Sequence, residues 1–278
     1  MLRISPFTPL FFSPSTDDSG LGCRYEQTFA VTDHILIELI GKTDDAKPKV
    51  SIINHISGRE YELVLSDYKF NSEDVLYFYI LTSLMPGYYT IVIDGKLSEI
   101  FKVTDNEEEL SETVLVQYSM RDDKQRNDCK WYINGCQQFF DFRVPGGFKD
   151  NGWGFSVETE QFVTHQNDII SLYARETTSK TFTIGTQIGC PIWFAELLNR
   201  LLCCDYVYFD GIRYSRKDTS VPEPAEQYEG SRSFVFKQIL QRVVNLEPTL
   251  EAAHQLMIRR VDDVAYRTVG SQPLKLNV

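Results

Sequence analysis

The 278-residue sequence is short of what most function classes require. No run approaches the roughly 18 continuous apolar residues of a membrane-spanning helix. The apolar opening, residues 1–15, is interrupted by Pro6, Pro9 and Pro14 and offers no small-residue cleavage site, so it does not read as a secretion signal. The chain is therefore expected to be made and folded in cytoplasm. Positive charge is scarce: 28 Lys and Arg stand against 39 Asp and Glu, a net charge of −11. Nucleic-acid binders draw affinity from cations that neutralise phosphates, and anionic membrane surfaces attract the same cations, so neither partner is expected.

Catalytic signatures are missing as well. Gly41-Lys42-Thr43 echoes the end of a phosphate-binding loop, but Leu36 stands where that loop needs its first glycine. No Gly-x-Ser-x-Gly elbow and no paired-histidine zinc helix occurs. His34, His55, His165 and His254 lie outside any metal-ligand spacing and read as hydrogen-bonded structural imidazoles. A Cys190–His165 nucleophile pair would have to be assembled across the fold, and a buried cysteine before Pro191 accounts for Cys190 without it. Carboxylates such as Glu158 and Asp168 are numerous enough for an acid–base pair, but a solvated face of an acidic sheet is the favoured account of them. No catalytic, cofactor-binding or metal-binding residue is assigned, and no enzyme activity is expected.

Six cysteines, at 23, 129, 136, 190, 203 and 204, share no repeating spacing, and a chain this long has no need of disulfide staples. Cys203 and Cys204 read as small buried hydrophobes continuing an apolar helix.

The sequence is rich in aromatics: 15 Tyr, 18 Phe and 3 Trp, 13% of the chain, which favours β-sheet. An acidic run, Glu107-Glu108-Glu109, divides the chain, and both parts are acidic: −6 through Asn106, −5 beyond it. The spacing predicts a mainly β protein in four parts. Residues 1–28 form an extended arm that either packs on its own domain, the favoured reading, or adds a strand to a neighbouring subunit; 29–106 form an immunoglobulin-like β-sandwich, 107–112 an acidic linker, and 113–278 a second β-rich domain with one amphipathic helix at 191–203.

In the first domain Ile35, Ile37 and Leu39 alternate with Leu36, Glu38 and Ile40 in a run buried on both faces. Further period-2 strands follow around Tyr61–Leu65, Val75–Tyr79 and Tyr89–Ile93, and Asp94-Gly95 signals a hairpin. In the second domain Pro191 suits a first helical position, and Phe194, Ala195, Leu198, Leu201 and Leu202 make an apolar face. Asp210-Gly211 joins Tyr206–Phe209 to Ile212–Tyr214 as a tight hairpin. Ser215–Ser231 reads as a surface loop, Phe234–Val244 as a long strand, Leu250–Met257 as a short helix and Ile258–Val264 as a last strand. Val144-Pro145-Gly146-Gly147-Phe148 reads as a sharp reversal whose backbone needs positive φ. Phe7, Phe11 and Phe12 in the arm, with Phe148 and Trp153, are the candidate interface residues, because aromatics concentrate where surfaces associate. As an alternative, Trp153 and nearby Tyr could stack on a sugar, as in a carbohydrate-binding module or adhesin.

Two stretches carry a resemblance. Phe140-Asp141-Phe142-Arg143-Val144-Pro145-Gly146-Gly147-Phe148 is one. The other runs from Ile188-Gly189-Cys190-Pro191-Ile192-Trp193 through Leu197-Leu198-Asn199-Arg200 to Tyr206-Val207-Tyr208-Phe209-Asp210-Gly211. They resemble structural proteins encoded among tail and baseplate genes of phages and prophages of Bacteroidetes, over roughly residues 113–265. The matching motifs are structural and bring no catalytic residue. The resemblance implies a virion component at a tail, hub or baseplate, assembled in the bacterial host cytoplasm. Its partners would be other copies of itself and other virion proteins.

Overall fold

The computed structural model describes residues 2–12, 25–69, 71–124, 128–187, 189–227 and 233–243, and four short strand segments between 260 and 274. The protein is mainly β, as its composition implies. In chain order the first half carries β1 (Arg3–Ile4), β2 (Gln27–Ala30), β3 (Ile35–Lys42), β4 (Val50–Asn54), β5 (Arg59–Leu63), β6 (Ser66–Lys69), β7 (Asp74–Leu81), β8 (Gly87–Ile93), β9 (Lys96–Leu97) and β10 (Phe101–Thr104). The second carries α1 (Glu107–Ser111), β11 (Thr113–Ser119), β12 (Tyr132–Ile133), β13 (Cys136–Gln137), β14 (Phe140–Val163), β15 (Ile169–Ile184), α2 (Ile192–Leu201), β16 (Tyr206–Phe209), β17 (Ile212–Arg216), β18 (Glu223–Gln227) and β19 (Phe234–Arg242).

Two sheets make the first domain, one in the order β1-β3-β7-β6 and one in the order β2-β10-β8-β4-β5 with β9 on β8. β2 and β10 run parallel, and the other pairs are antiparallel. Both sheets feed one core: Ile35, Ile37 and Leu39 from β3 meet Ile52, Ile91 and Val103 from the facing sheet. The alternate residues of β3 are buried too. Leu36 and Glu38 are fully covered because the outer face of this sheet packs on the second domain, where Phe78 and Ile80 of β7 join Leu36. A strand covered on both faces is expected to be almost wholly apolar, and Ile35–Ile40 is apolar at every position but Glu38, whose carboxylate accepts the Lys130 N–H at 2.9 Å.

The acidic run between the domains is a short helix rather than an extended linker. Asn106 caps α1 by accepting the Glu108 N–H at 2.9 Å, and three glutamates fill the first turn, where the helix dipole favours negative charge.

The second domain is a closed barrel. Strand order β15-β14-β11-β16-β17-β19 is completed by pairing of β15 with β19, and β18 adds to the exposed stretch of β19. Closure leaves these six strands without an edge within the barrel. Val116, Phe142, Phe182, Phe209, Tyr214 and Leu240 share its interior. α2 lays Phe194, Leu197, Leu198 and Leu201 on the same core, with Phe194 stacked on Phe142 at 5.6 Å. The helix is three residues shorter than the sequence predicts. Cys203 lies beyond it and is exposed, because the chain has already left the helical register that would have buried it.

Three other expectations change. The Pro145-Gly146-Gly147 motif reverses nothing: β14 runs straight through it. Gly146 does take positive φ, +119°, and a Cβ there would meet the Thr183 carbonyl oxygen at 2.1 Å, so glycine permits a close strand crossing. The polar loop after β17 contains β18, because the bare stretch of β19 supplies a pairing edge. Arg260–Val261 pairs with Val264–Ala265 as a small ribbon in place of one continuous strand; the helix expected at 250–257 lies outside the described residues.

The amino-terminal segment, expected as an arm, is folded onto its own chain. β1 pairs with β3, and the following residues run between the two domains. The Ser5 hydroxyl donates to the Asp128 carbonyl at 2.7 Å, and the Arg200 guanidinium donates to the Pro6 carbonyl at 2.8 Å. Beside it the domains are joined by buried charge. Arg143 forks onto Asp33, Nε to Oδ2 at 2.7 Å and a terminal nitrogen to Oδ1 at 3.0 Å. Asp141 accepts the His34 N–H at 2.7 Å and the Gln117 amide at 2.8 Å. Such a fork holds two planar groups in one geometry and fixes the domains against each other.

Candidate interaction surface

Five aromatic positions marked as interface candidates have different fates. Phe7 is completely buried, edge-on to Trp131 at 5.1 Å, and its carbonyl accepts the Tyr118 hydroxyl at 2.8 Å. Phe12 is buried in the sandwich core. Phe11 is half-buried and stacks on Trp193 at 5.7 Å. Phe148 is half-buried against Tyr214, 5.0 Å away, and Phe182, 5.1 Å away. These four rings pack within the chain, since an extended segment with three phenylalanines loses apolar surface to water fastest by folding back on its own cores. Trp153 alone stays on the surface, 46% exposed.

Trp153 stands at the base of a feature the sequence did not reveal. Beyond the last pairing of β15 with β19, Ser179↔Gln241, β14 and β15 continue as a two-stranded ribbon, paired from Phe155↔Thr178 to Val163↔Ile169. Eight residue rises at roughly 3.3 Å make it about 26 Å long. Thr164–Asp168 closes the tip: the Thr164 N–H donates to the Asp168 carbonyl at 2.8 Å, and Asn167 takes the left-handed conformation at φ +61°. Val, Thr, Tyr, Ile and Phe dominate both strands, which is why the chain stays extended so far from the core.

The register assigns side chains to faces. Trp153, Phe155 and Val157 form a row on one face of β14, with Trp153 and Phe155 parallel at 6.1 Å and the Lys180 ammonium 3.9 Å from the Trp153 ring centre. The opposite face of the shaft is polar, with Glu158 paired to Arg175 and accepting the Tyr173 hydroxyl. At the tip both faces are apolar, with Phe162 opposite Ile170 and Val163 opposite Ile169. A register shift between Glu160 and Gln161 adds Leu172, 61% exposed, to the same end. Phe155 is 78% exposed. Soluble monomers rarely leave so continuous an apolar surface in water, and large patches of this kind mark interaction sites.

Rival chemistry is not brought together. Glu158 and Asp168, which faces Thr164, lie six residue rises apart along the ribbon, about 20 Å, beyond the roughly 5–9.5 Å separation of paired glycosidase carboxyls. Cys190 is buried in the barrel core, whereas His165 sits in the ribbon turn. Among the described residues no cluster of three His, Cys, Asp or Glu is placed to hold a metal ion. No described helix is long and apolar enough to cross a membrane.

The ribbon is hard to see in the sequence because polar residues of its second face and its turn interrupt the apolar alternation. The available signal was the alternation Trp153-x-Phe155-x-Val157, followed by Phe162-Val163 and Ile169-Ile170 around a polar pentapeptide. No family model, curated protein or solved structure matches the chain.

Proposed function

We propose that this chain is a non-enzymatic structural component of a phage or phage-like particle, in its tail, hub or baseplate region. It acts by self-association and by contacts with other virion proteins, and it resides in the virion after assembly in the bacterial host cytoplasm. The observation that carries this reading is the ribbon: about 26 Å of two-stranded pairing, apolar at its tip and along one face, projecting from a closed barrel. The two sequence stretches that resemble tail and baseplate proteins support it from a separate direction. One of them, Phe140–Phe148, leads directly into the ribbon.

A catalyst needs a pocket in which reacting groups converge; this reading needs only a rigid body and a sticky projection. The Asp33–Arg143 fork and the threaded amino terminus supply the rigidity.

Co-expression with the products of adjacent genes, followed by mass photometry and electron microscopy, tests the proposal. Incorporation into a particle with repeated copies is expected. A strict monomer that joins no assembly overturns it.

A further inference from the structure

The ribbon has two lateral edges as well as two faces, and the edges decide which partner fits. Among the described residues, no strand pairs with the outer edge of β14 from 153 to 163 or with that of β15 from 169 to 178. The sandwich blunts its own edges: β5 carries Arg59, Glu60 and Glu62, and β6 is four residues long. The ribbon is long, and among the described residues its outer edges are unpaired. Two strands alone are marginal in water and gain stability from further strands.

Building on the self-association reading, we propose that the ribbon of one copy pairs edge to edge with that of a second copy of this chain. β14 of one copy lies against β15 of the next, with both ribbons pointing the same way. Direction is the first argument. β14 runs toward the tip and β15 away from it, so ribbons aligned this way meet as an antiparallel ladder, like every pairing within the barrel.

Charge is the second argument. Between 153 and 163, β14 carries Glu158 and Glu160 and no cation, whereas β15 between 169 and 180 carries Arg175 and Lys180 against Glu176. Two β14 edges would bring like charges together. β14 against β15 sets Glu158 beside the neighbour's Arg175 in the register already used inside the hairpin.

Closure is the third. A two-fold joint occupies one edge of each ribbon and leaves the other open, but a head-to-tail joint uses both and closes as a ring. Edge pairing would set Phe155 and Val157, exposed on one face, beside side chains of the neighbour's strand on that same face as cross-strand pairs.

Two single variants, Ser156→Cys and Thr177→Cys, test the joint, because these positions oppose each other in the hairpin register. Each is oxidised alone and in mixture, and the disulfides are mapped by peptide mass spectrometry. A 156–177 bond confined to the mixture is the expected result. In parallel, mass photometry should show closed oligomers of the unmodified chain that Phe155→Ser reduces to monomers, with the far-ultraviolet circular dichroism of the folded chain retained. A 156–156 bond as the main product overturns the head-to-tail joint, and so do monomers of the unmodified chain at every concentration. Incorporation into a particle without ribbon cross-links overturns the ribbon joint and leaves the structural role standing. Failure both to self-associate and to join a particle overturns both.

Discussion

Glu38 gives a prediction with a definite sign. It lies on β3, pointing away from the sandwich core into the joint with the barrel, and its side chain is completely buried. Oε1 accepts the Lys130 N–H at 2.9 Å. Burial raises the carboxyl from 4.5 to about 7; the hydrogen bond from the Lys130 N–H opposes the rise, and nearby Asp128 adds to it. The folded state thus holds this proton more tightly than the unfolded chain. The resulting stabilisation is full below about pH 4.5, declines as pH rises toward 7 and is gone above it. At 1.36 kcal/mol per pK unit, a rise of about 2.5 units makes the difference about 3 kcal/mol.

Glu38→Gln removes the titrating group and keeps an acceptor for the Lys130 N–H. The variant should match the wild type in urea unfolding near pH 4.5 and exceed it by about 3 kcal/mol at pH 8, the span of that linkage. Its stability should fall less steeply between those limits. Equal slopes for the two proteins across pH 5–8 would refute the claim that Glu38 carries this linkage.

Three further outcomes follow from the packing. Arg143→Ala leaves Asp33 buried without its guanidinium, and breaking a buried pair from one side costs about 3–5 kcal/mol, measurable by urea unfolding at pH 7. Gly146→Ala sets a methyl group on the Thr183 carbonyl at a positive φ and should cost at least about 3 kcal/mol or abolish soluble expression; a fully stable variant would contradict the strand crossing. Phe155→Ser removes an exposed ring and should change chain stability by no more than about 0.5 kcal/mol, so calorimetry of the monomeric variant separates an interaction residue from a core residue.

Much of the fold was legible residue by residue. Period-2 alternation placed β3, β7 and β8, and the apolar run Ile35–Ile40 announced a strand covered on both sides. Pro191 and the spacing of Phe194, Leu198 and Leu201 marked α2, and Asp210-Gly211 marked the β16–β17 hairpin. These signals are local, since side-chain period and turn chemistry act over a few residues. Assignment of the aromatic candidates was less successful. Phe7, Phe12 and Phe148 carry the same composition as Trp153, and nothing in their neighbourhoods says which ring will find a cavity and which will find water.

Composition and alternation by themselves determined a mainly β chain, acidic in both halves, with one amphipathic helix and a break near the glutamate run. Tertiary structure alone decided three things. β15 meets β19 and closes the barrel; the amino terminus threads between the domains and spends its phenylalanines on their cores; β14 and β15 outrun the barrel as an uncovered ribbon. The first two depend on partners tens to hundreds of residues apart in sequence; the ribbon is a local hairpin, but whether anything covers it is settled only by where the rest of the chain goes. Local pattern fixes which residues seek burial, while chain topology fixes which of them obtain it, and the side chains left over are the surface this protein has to offer.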